Sequence, residues 1–577
     1  MKRAITLALL AAVLLVAVWP LLRPYQVAGH STYVDLVRIV AFHEAAHNGD
    51  YTPRWLPDFY FHYGSPLFNF YAPLTYYVIE LLHVIGGSAF WALKLAYLLF
   101  WLAAAAGMYF LARAVFDPDG AFAAAAVYGL APYLLTDIYV RHGIAEFAAF
   151  AWMPWILLGL WRTQRAEGRY GPVLAALAYA GLILTHNITA MIASPFLLLF
   201  VMVRPESRRQ AVRAAASLMY GIGLSAFFWL PAMWEVKYVQ AAPSLTGGFF
   251  EYRHHFLAFW QLLRRHWDYG SSQAGFNDRM GFMYGEWLWL SLIAALLILA
   301  LPSVRKKLTA NRPAIFFLAA AAACLFMTVG ASAWLWGWFP LLSFVQFPWR
   351  FLLPASAFGA VLAAYPFGLA AEKTRPYLSW LLVLLALLAS VSFCRARYVF
   401  QDTAKNSFAF VFAPEAAAAA RDSNLVRPDR FLDIETIRRL GVTSTASNDY
   451  LPKTCVKVPD HLPDNAAESG GDELTVLSSR WGYGQMIAEV QANVQQDVLF
   501  NHFYFPGWEA KVDGVATLVR PEPETGRMTV TVEPGRHFVE LHFADTPIRL
   551  IGQLIAVATA LTLLLWAVFV LRYEEES

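Results

Sequence analysis

Long apolar runs dominate the chain and predict helices that cross a membrane. They lie at 4–20, 88–112, 119–137, 146–161, 171–203, 213–232, 286–302, 314–330, 350–370, 377–394 and 549–571. The run at 171–203 is too long for one span and has basic clusters at both ends, so it is predicted to form two short helices with an outer turn at Thr185-His186-Asn187. Since a span needs roughly 20 residues, the pattern predicts an all-α polytopic membrane protein with about twelve transmembrane helices.

The distribution of Lys and Arg between the short loops predicts the orientation of the chain. With twelve spans, the short loops on one side carry thirteen Lys and Arg residues, whereas those on the other side carry only Arg141 and Arg350. Basic loops remain in the cytoplasm, so both termini are predicted to be cytoplasmic. The charged start Met1-Lys2-Arg3 and the apolar segment after it are predicted to form an uncleaved signal anchor, and cleavage after Gly29 is the alternative.

The remaining polar regions predict the domain organisation. Residues 1–394 are predicted to form the transmembrane domain, with a first outer loop at 21–87 in which the apolar stretch Tyr71 to Ile85 dips into the membrane. Residues 395–548 are long enough to fold as a separate periplasmic domain, and 549–577 form a last helix and a short cytoplasmic tail.

The predicted periplasmic domain changes character along its length. It begins with a helix-prone Ala run, Pro414 to Ala420, and a polar passage, Ser444 to Asp472. Alternating polar and apolar positions then predict an α+β domain that ends in a small β-sandwich. The predicted strands are Leu474 to Leu477, Met486 to Val490, Val498 to Phe505, Met528 to Val532 and Phe538 to Phe543.

Composition narrows the class of protein. Hydrophobic residues make up 58% of the chain and charged residues 15%, a balance that excludes an ordinary soluble protein. The net charge of +3 gives no basic stripe for nucleic acid. The three cysteines have no metal-ligand spacing, and pairing of Cys394 with Cys455 is the alternative to free thiols.

Most predicted spans contain almost no ionisable group away from their ends, and Lys94 is the main exception. Acids, His and Arg collect at the outer ends of the spans and in the outer loops. A transporter is expected to hold charged sites near the midplane, so this distribution favours chemistry at the outer face. Asp35 and Arg38 lie three positions apart and share one face of a helix. Asp35 is a candidate general base or cation ligand, and a solvated loop acid is the alternative.

The segment His43-Glu44-Ala45-Ala46-His47 fits the H-E-x-x-H pattern. This spacing places two His side chains on one helical face around zinc, with the Glu as base of a metallopeptidase. No downstream motif supplies the third protein ligand that a catalytic zinc needs. A zinc peptidase and a coincidental amphipathic helix therefore both remain open.

Two further clusters lie at the outer ends of spans. Glu146 opens a span, where its carboxylate needs a cationic partner, and Arg141 lies nearby in sequence. Arg350 ends the segment Gln346-Phe347-Pro348-Trp349-Arg350 and is suited to grip a phosphate in a bidentate way. The non-catalytic alternative for Glu146 is an acid that stabilises the start of its helix, and that for Arg350 is an arginine that snorkels to lipid phosphates. His186, at an outer turn, likewise has two interpretations, a residue that binds a ligand and one without a functional role.

The order of several motifs resembles the GT-C superfamily of membrane glycosyltransferases. Within it, the chain is similar to the bacterial membrane family labelled 6-pyruvoyl-tetrahydropterin-synthase-related, a historical label that implies no pterin chemistry. The resemblance covers residues 1 to about 400. The motifs are Asp35-Leu36-Val37-Arg38, Asn48-Gly49-Asp50, Pro53-Arg54-Trp55, Tyr63-Gly64-Ser65-Pro66, Phe70-Tyr71-Ala72-Pro73-Leu74 and Gln346 to Arg350.

The resemblance implies an activity, a location and partners. GT-C enzymes take a sugar from a polyprenyl-phosphate donor and attach it, usually with inversion, to an acceptor outside the cytoplasm. The expected location is the bacterial inner membrane, with the active site on the periplasmic face. The expected partners are the lipid-linked sugar, the bilayer and an unidentified glycan, lipid or protein acceptor, and no nucleic acid.

The resulting hypothesis assigns roles to individual residues. By resemblance Asp35 matches the catalytic acid, and Asp35 and Glu146 are the expected ligands of a divalent cation, Mg or Mn. Arg141, Arg350 and His186 are the expected ligands of the donor phosphate. Further substrate contacts are expected from Arg38, Arg54, His62 and Tyr63, and the aromatic faces of Trp481, Tyr504 and Trp508 could stack on sugar if the tail domain does more than cap the site. The alternatives are the zinc peptidase and a lipid or saccharide transporter.

Overall fold

A computed structural model describes residues 15–166, 170–203, 205–241, 246–275, 278–308, 310–402, 407–412, 425–426, 434–443, 445 and 448–572. Most of the predicted first span, the Ala run at 414–420 and the end of the predicted tail lie outside the described residues.

The chain is mostly helical up to residue 393. Two short outer-loop helices, Phe59–His62 and Leu67–Phe70, and the single-turn helices Pro302–Arg305 and Ala333–Trp338 accompany the longer ones. The longer helices are α1 (Thr32–His47), α2 (Leu74–Gly86), α3 (Ala89–Val115), α4 (Gly120–Arg141), α5 (Ile144–Gln164), α6 (Gly171–Thr185), α7 (Asn187–Phe200), α8 (Arg208–Leu224), α9 (Ala226–Tyr238), α10 (Glu286–Ala300), α11 (Asn311–Thr328), α12 (Pro348–Leu369), α13 (Arg375–Phe393), α14 (Ile434–Arg439) and α15 (Pro547–Arg572).

Helix length separates the helices that could span a membrane from the shorter apolar ones. Among the described residues, seven helices are long and apolar enough to cross a membrane: α3, α4, α5, α11, α12, α13 and α15. The pair α8 and α9, bent by 65°, makes an eighth if it is one broken span. Helices α6, α7 and α10 have only 14 or 15 residues, about 22 Å of helix against a hydrocarbon core of about 30 Å. The predicted apolar segments are present, but the count of twelve spans stays a prediction.

Helices α6 and α7 form the short hairpin that the basic flanks predict. Gln164, at the end of α5, donates a hydrogen bond to the carbonyl of Phe200 at 2.8 Å, and Gly171 packs directly against Thr163. The hairpin therefore begins and ends beside the end of α5. Near its tip the hairpin is held to α5 by Trp152, which donates to Thr185 at 2.9 Å.

Two groups of antiparallel strands complete the fold. Strand β2 pairs with β1, β3 and β4 and so joins the first outer loop to the chain after α13. Further along, β10-β9-β13-β7-β6 and β11-β12-β8-β5 form two sheets. The strands are β1 (Gln26–Val27), β2 (Arg397–Asp402), β3 (Ser407–Phe412), β4 (Leu425–Val426), β5 (Ala467–Ser469), β6 (Leu474–Gly482), β7 (Gln485–Ala492), β8 (Gln496–Phe503), β9 (Trp508–Val512), β10 (Val515–Thr517), β11 (Arg520–Pro521), β12 (Arg527–Val532) and β13 (Gly535–Phe543).

Every strand predicted from the alternating pattern is present in the C-terminal sheets. In β7 the alternate residues Met486, Ala488, Val490 and Ala492 are buried, as expected for strands with one apolar face. The face-to-face sandwich and the independence of residues 395–548 stay predictions. The three cysteines are free, so Cys394 and Cys455 do not pair.

The C-terminal sheets contact the first outer loop through hydrogen bonds. The backbone N–H of Phe503 donates to the carbonyl of Tyr63 at 2.8 Å. Asp58 accepts from Arg438 and from the hydroxyl of Tyr483, both at 2.7 Å. These contacts hold the first outer loop against the C-terminal region of the chain.

Candidate active site

A cavity of about 250 Å³ lies between the first outer loop, the tip of the α6–α7 hairpin and the C-terminal region. Its lining comes from parts of the chain that are far apart in sequence, and its charged side chains are those of Arg38, Arg350 and Asp449, with His30 and His186 beside them. The two guanidinium groups offer N–H donors to a ligand, and each also pairs with a carboxylate outside the lining, Arg38 with Asp35 and Arg350 with Glu146. The cavity is therefore suited to an anionic ligand.

The start of α1 is held close to the end of α4. The backbone N–H groups of His30 and Ser31 donate to the carbonyls of Val140 and Arg141 at 3.0 and 2.9 Å. Gly29 is needed for this approach, because a Cβ at this position would lie 2.3 Å from the Cβ of His142. The contact places the first turn of α1 beside the start of α5.

Asp35 lies in that first turn and is buried, with 2% of its surface exposed. Its Oδ1 accepts a hydrogen bond from the hydroxyl of Tyr76 at 3.0 Å and lies 3.6 Å from Nη1 of Arg38. Burial raises the pKa of Asp35 to about 6, although Arg38 opposes the shift. Asp35 does not itself line the cavity, whereas Ser31, Val34 and Arg38 of the adjoining helical face do.

Arg38 connects Asp35 to the cavity wall. Its guanidinium carbon lies 4.2 Å from the centre of the Tyr71 ring, a cation–π arrangement that fixes the orientation of the side chain. Tyr71 also lines the cavity, and burial raises the pKa of its hydroxyl. The expected substrate contact from Arg38 is therefore available in the structure.

Glu146 has the cationic partners that its position in the sequence requires. Its Oε2 lies 2.9 Å from Nη1 of Arg141 and 3.0 Å from Nε of Arg350, and its Oε1 accepts from the hydroxyl of Tyr133 at 2.5 Å. Arg141 also pairs with Asp137 and stacks on Trp349. Glu146 and Arg141 do not line the cavity and lie behind Arg350, which does; the contact of Arg141 with the donor phosphate stays a prediction.

Arg350 is the guanidinium that this network presents to the cavity. Its Nη1 donates to the carbonyl of Val345 at 2.8 Å and to Oε1 of Gln346 at 2.9 Å, and its Nε donates to Glu146. Within the described part of the chain, none of its hydrogen bonds uses Nη2. Gln346 has a φ of +65°, a costly conformation for a non-glycine residue that often marks a functional site.

His186 lies at the tip of the hairpin, between α6 and α7. Its Nδ1 accepts a hydrogen bond from the backbone N–H of Thr189 at 3.3 Å, and the Thr189 hydroxyl lies 2.7 Å from the same atom. With Nδ1 as acceptor, a neutral ring carries its proton on Nε2. His186 lines the cavity, so the short hairpin places an N–H donor there.

The C-terminal region contributes residues to the cavity that the sequence analysis missed. Thr445, Asp449 and Tyr450 line it, and the ring of Tyr450 stacks on Phe70 with centroids 5.1 Å apart. These residues lie in the polar passage from Ser444 to Asp472, which carries no periodic pattern. No sequence signal could have placed them beside Arg38.

Three residues that were expected to contact the substrate lie outside the cavity. Arg54 donates to the carbonyl of Phe227 and to Oδ1 of Asn69. His62 packs against Trp481 and His502, and Tyr63 stacks on Phe503. None of the three lines the cavity, because they hold the first outer loop against α9 and the C-terminal sheets.

The aromatic residues considered for sugar stacking also lie outside the cavity. Trp508 is buried and meets Trp55 edge to face, with centroids 5.8 Å apart. Trp481 packs on His62, and neither tryptophan lines the cavity; nor does Tyr504. Their positions favour a structural role in this contact.

The H-E-x-x-H segment lies on the last turns of α1. Nδ1 of His43 lies 2.9 Å from Oε1 of Glu80 in α2, whereas His47 is exposed. Among the described residues, the single group of three ligand atoms within 4.8 Å of one another comes from His43, Glu80 and His83. It contains neither Glu44 nor His47, and neither of the expected cation ligands, Asp35 and Glu146.

The chain matches one family model and resembles several solved structures. The family model described as 6-pyruvoyl-tetrahydropterin synthase related domain, membrane protein, matches residues 68–401. A search of curated proteins found no match. The solved structures that are similar include the arabinofuranosyltransferase AftD from Mycobacteria, with 17% identity over 68% of this chain and 27% of that chain and a TM-score of 0.43.

Two other similar structures come from different organisms. The Archaeoglobus fulgidus oligosaccharyltransferase is 15% identical over 67% of this chain and 55% of that chain, with a TM-score of 0.43. ArnT from Cupriavidus metallidurans, bound to undecaprenyl phosphate, is 16% identical over 75% of this chain and 68% of that chain, with a TM-score of 0.39. The matched part of this chain thus spans about a quarter of the arabinofuranosyltransferase and about half of the oligosaccharyltransferase.

The family match agrees with the motif order in the sequence. It runs from the end of the first outer loop, through the hairpin and the Gln346 to Arg350 segment, to strand β2. It covers more than half of the chain. The chain therefore belongs to the 6-pyruvoyl-tetrahydropterin synthase related family of membrane proteins.

Proposed function

We propose that the protein is a GT-C-type membrane glycosyltransferase that moves a sugar from a polyprenyl-phosphate donor to an acceptor outside the cytoplasm. The observation that carries the proposal is the convergence of Arg38, Arg350 and His186 on one cavity. These residues come from the first outer loop, the start of α12 and the tip of the hairpin. A cavity lined by guanidinium and imidazole N–H donors fits a ligand that leaves as a phosphate.

The donor phosphate is held by Arg350 and His186 in this proposal. Glu146 and the Val345 carbonyl fix the guanidinium of Arg350, so its remaining N–H groups are oriented before the ligand arrives. The Nε2 of His186 adds a second donor. Fixed donors aimed at developing charge cost no reorganisation during reaction, which is why such groups lower barriers effectively.

Asp35 is the proposed base. The acceptor hydroxyl oxygen bonds to the anomeric carbon while the bond from that carbon to the phosphate oxygen breaks with inversion. The hydroxyl proton passes to the Asp35 carboxylate, and the polyprenyl phosphate leaves with the electron pair. A base with a pKa of about 6 is ionised at neutral pH and accepts a proton readily. The acceptor must enter beside Ser31 and Arg38, which form the adjoining wall.

Arginine supplies the compensating charge in this mechanism. Both carboxylates expected to bind a divalent cation already face guanidinium groups, Asp35 that of Arg38 and Glu146 those of Arg141 and Arg350. A Mg or Mn ion shared by Asp35 and Glu146 is the alternative, and it makes activity sensitive to a chelator. The proposal predicts that transfer persists in EDTA.

The cavity opens on the periplasmic face if the orientation follows the basic loops, with both termini in the cytoplasm. The acceptor is an unidentified glycan, lipid or protein. A transporter is less favoured, since Lys94, the main ionisable residue within a span, donates hydrogen bonds to the carbonyls of Arg23 and Tyr25. A transporter would move lipid or saccharide without cleaving the donor.

The test is transfer by purified protein supplied with a polyprenyl-phosphate sugar. Asp35→Asn is expected to lower the rate by about 10² to 10⁴-fold, the usual contribution of a positioned base. Asp50→Asn, a carboxylate of the same loop outside the cavity, is the matched control and is expected to retain activity.

Two outcomes would contradict the assignment. Retention of more than about a tenth of the transfer rate in Asp35→Asn would remove Asp35 as the base. Loss of activity in Asp449→Asn but not in Asp35→Asn would move the base to the carboxylate that lines the cavity. Donor transport without donor cleavage would reject the transferase itself.

A further inference from the structure

A cluster of two histidines and one carboxylate joins α1 and α2 outside the cavity. His43 belongs to α1, and Glu80 and His83 belong to α2. Their potential ligand atoms all lie within 4.8 Å of one another. The two imidazole rings are 4.1 Å apart between centroids.

The distances within the cluster fit a tetrahedral metal. Oε2 of Glu80 lies 3.1 Å from Nδ1 of His43 and 3.8 Å from Nδ1 of His83. With metal bonds of about 2.0 to 2.1 Å, the ligand atoms around a tetrahedral zinc are about 3.3 Å apart. The two distances lie on either side of this value, so small side-chain movements would complete the geometry.

His83 adds an independent observation. Its Nδ1 is buried and makes no hydrogen bond among the described residues, because the nearest carboxylate oxygen of Glu80 lies 3.8 Å away. The side chain is 14% exposed, while that of His43 is 35% exposed. A metal ion could enter past His43 and satisfy the unpartnered nitrogen of His83.

We propose that His43, Glu80 and His83 bind a divalent transition metal of the zinc class. Two imidazoles and one carboxylate are a familiar zinc ligand set, with water in the fourth position. Imidazole nitrogen disfavours Mg and Ca, which prefer oxygen ligands. The site is separate from the proposed transfer reaction and does not depend on it.

This ligand set differs from the one that the H-E-x-x-H pattern implies. His43 is shared, but the two partners come from α2, and Glu44 faces elsewhere: its carboxylate accepts from Asn48 and interacts with Asp58 and Tyr483. A peptidase needs that glutamate beside the metal as its base. The geometry therefore assigns a structural metal rather than a hydrolytic one.

The role of the metal follows from its place in the fold. Helices α1 and α2 already meet where Tyr76 donates to Asp35. The cluster lies two turns further along α1 and one to two turns further along α2. A bound ion would lock the two helices together at a second point and hold Tyr76 against Asp35.

Metal content of the full-length protein in detergent tests the proposal. After incubation with zinc and removal of the excess, the wild type is expected to retain about one zinc ion per chain. His83→Gln and Glu80→Gln are expected to bind at least tenfold more weakly, because each loses one of three ligands. His47→Ala is the matched control and is expected to bind like the wild type.

Two further measurements keep the result clear if a variant folds poorly. Cobalt added to the wild type is expected to give the visible absorption of a tetrahedral ion, and zinc is expected to raise the thermal midpoint of the wild type but not of His83→Gln. Wild-type zinc content no higher than that of His83→Gln would overturn the proposal in favour of a metal-free His–Glu hydrogen bond. Loss of zinc in His47→Ala, or zinc-dependent peptide cleavage abolished by Glu44→Gln, would overturn it in favour of the H-E-x-x-H site.

Discussion

Nε of Arg350 donates a hydrogen bond to Oε2 of Glu146 at 3.0 Å, although the two residues are 204 positions apart in the sequence. Arg141 approaches the same oxygen from the other side at 2.9 Å. The carboxylate that opens α5 thereby fixes the guanidinium that opens α12. This pair connects two spans and orients the cationic wall of the cavity.

Glu146→Gln is predicted to destabilise the protein strongly. The substitution leaves two buried guanidinium groups without their shared counter-charge, and breaking a buried pair typically costs about 3–5 kcal/mol. The thermal midpoint in detergent is expected to fall. Asp268→Asn is the control, since its pair with Arg279 is exposed and such pairs contribute about 0–1 kcal/mol. Equal shifts in both variants would contradict the role of Glu146.

The pH dependence of transfer is predicted to follow Asp35. Burial raises its pKa to about 6, so below that pH the carboxyl is protonated and cannot accept the acceptor's proton. The rate is therefore expected to rise with pH through about 6 and to level off above 7. The residual activity of Asp35→Asn is expected to lack this step. A step of the same position in that variant would assign the titration to another group.

Stability is predicted to fall in acid because of His502. Burial lowers its pKa from 6.5 to about 3, and both ring nitrogens lack a hydrogen-bond partner among the described residues. The folded state thus keeps His502 neutral while the unfolded state takes up a proton. Its contribution is complete above pH 6.5 and is lost as pH falls towards 3, by up to about 1.4 kcal/mol per pH unit.

Denaturation midpoints measured between pH 7.5 and 5 test whether stability falls in acid. This range is chosen because the pKa of a histidine in the unfolded chain is about 6.5. His502→Leu is expected to show a weaker dependence than the wild type. His62 faces His502 at 5.5 Å and has its pKa lowered in the same direction, so part of the dependence is expected to remain. An unchanged curve in His502→Leu would contradict the prediction.

Glu235 is predicted to hold the last helix against the first outer loop. Its carboxylate accepts from Arg549 at 3.0 Å and from Asn69 at 2.7 Å, and both charged groups are buried. Glu235→Gln is expected to weaken this contact by about 3 kcal/mol. Amide hydrogen exchange around the Pro506–Gly507 turn, whose carbonyl also accepts from Arg549, is expected to accelerate.

Glu489→Gln is the control for that experiment. It also removes one partner of an arginine, Arg536, but this pair lies on the exposed surface of the sheets. Exchange near the turn is expected to match the wild type. Protection that survives in Glu235→Gln would show that apolar packing alone holds the helix.

The sequence by itself determined the helical membrane class, the short hairpin around His186, the strands after residue 473 and the family. Each of these depends on a local signal: a long apolar run, basic flanks, a period of two or a motif order. It also indicated Asp35, Glu146 and Arg350, because acids and arginines collect at the outer ends of the spans and in the outer loops. The prediction of these residues depends only on the sequence that adjoins each of them.

Only the tertiary structure decided which of these groups meet. It placed Arg350 in the cavity and Arg141 behind it, moved Arg54 and His62 to the contact with the C-terminal region, and added Asp449 and Tyr450 to the lining. It also gave His43 partners from α2 instead of His47. The physical reason is that a cavity is made by packing helices and loops whose order in space leaves no periodic trace along the chain. The sequence gives the identity of each side chain directly, but the groups that the side chain faces depend on contacts between distant segments.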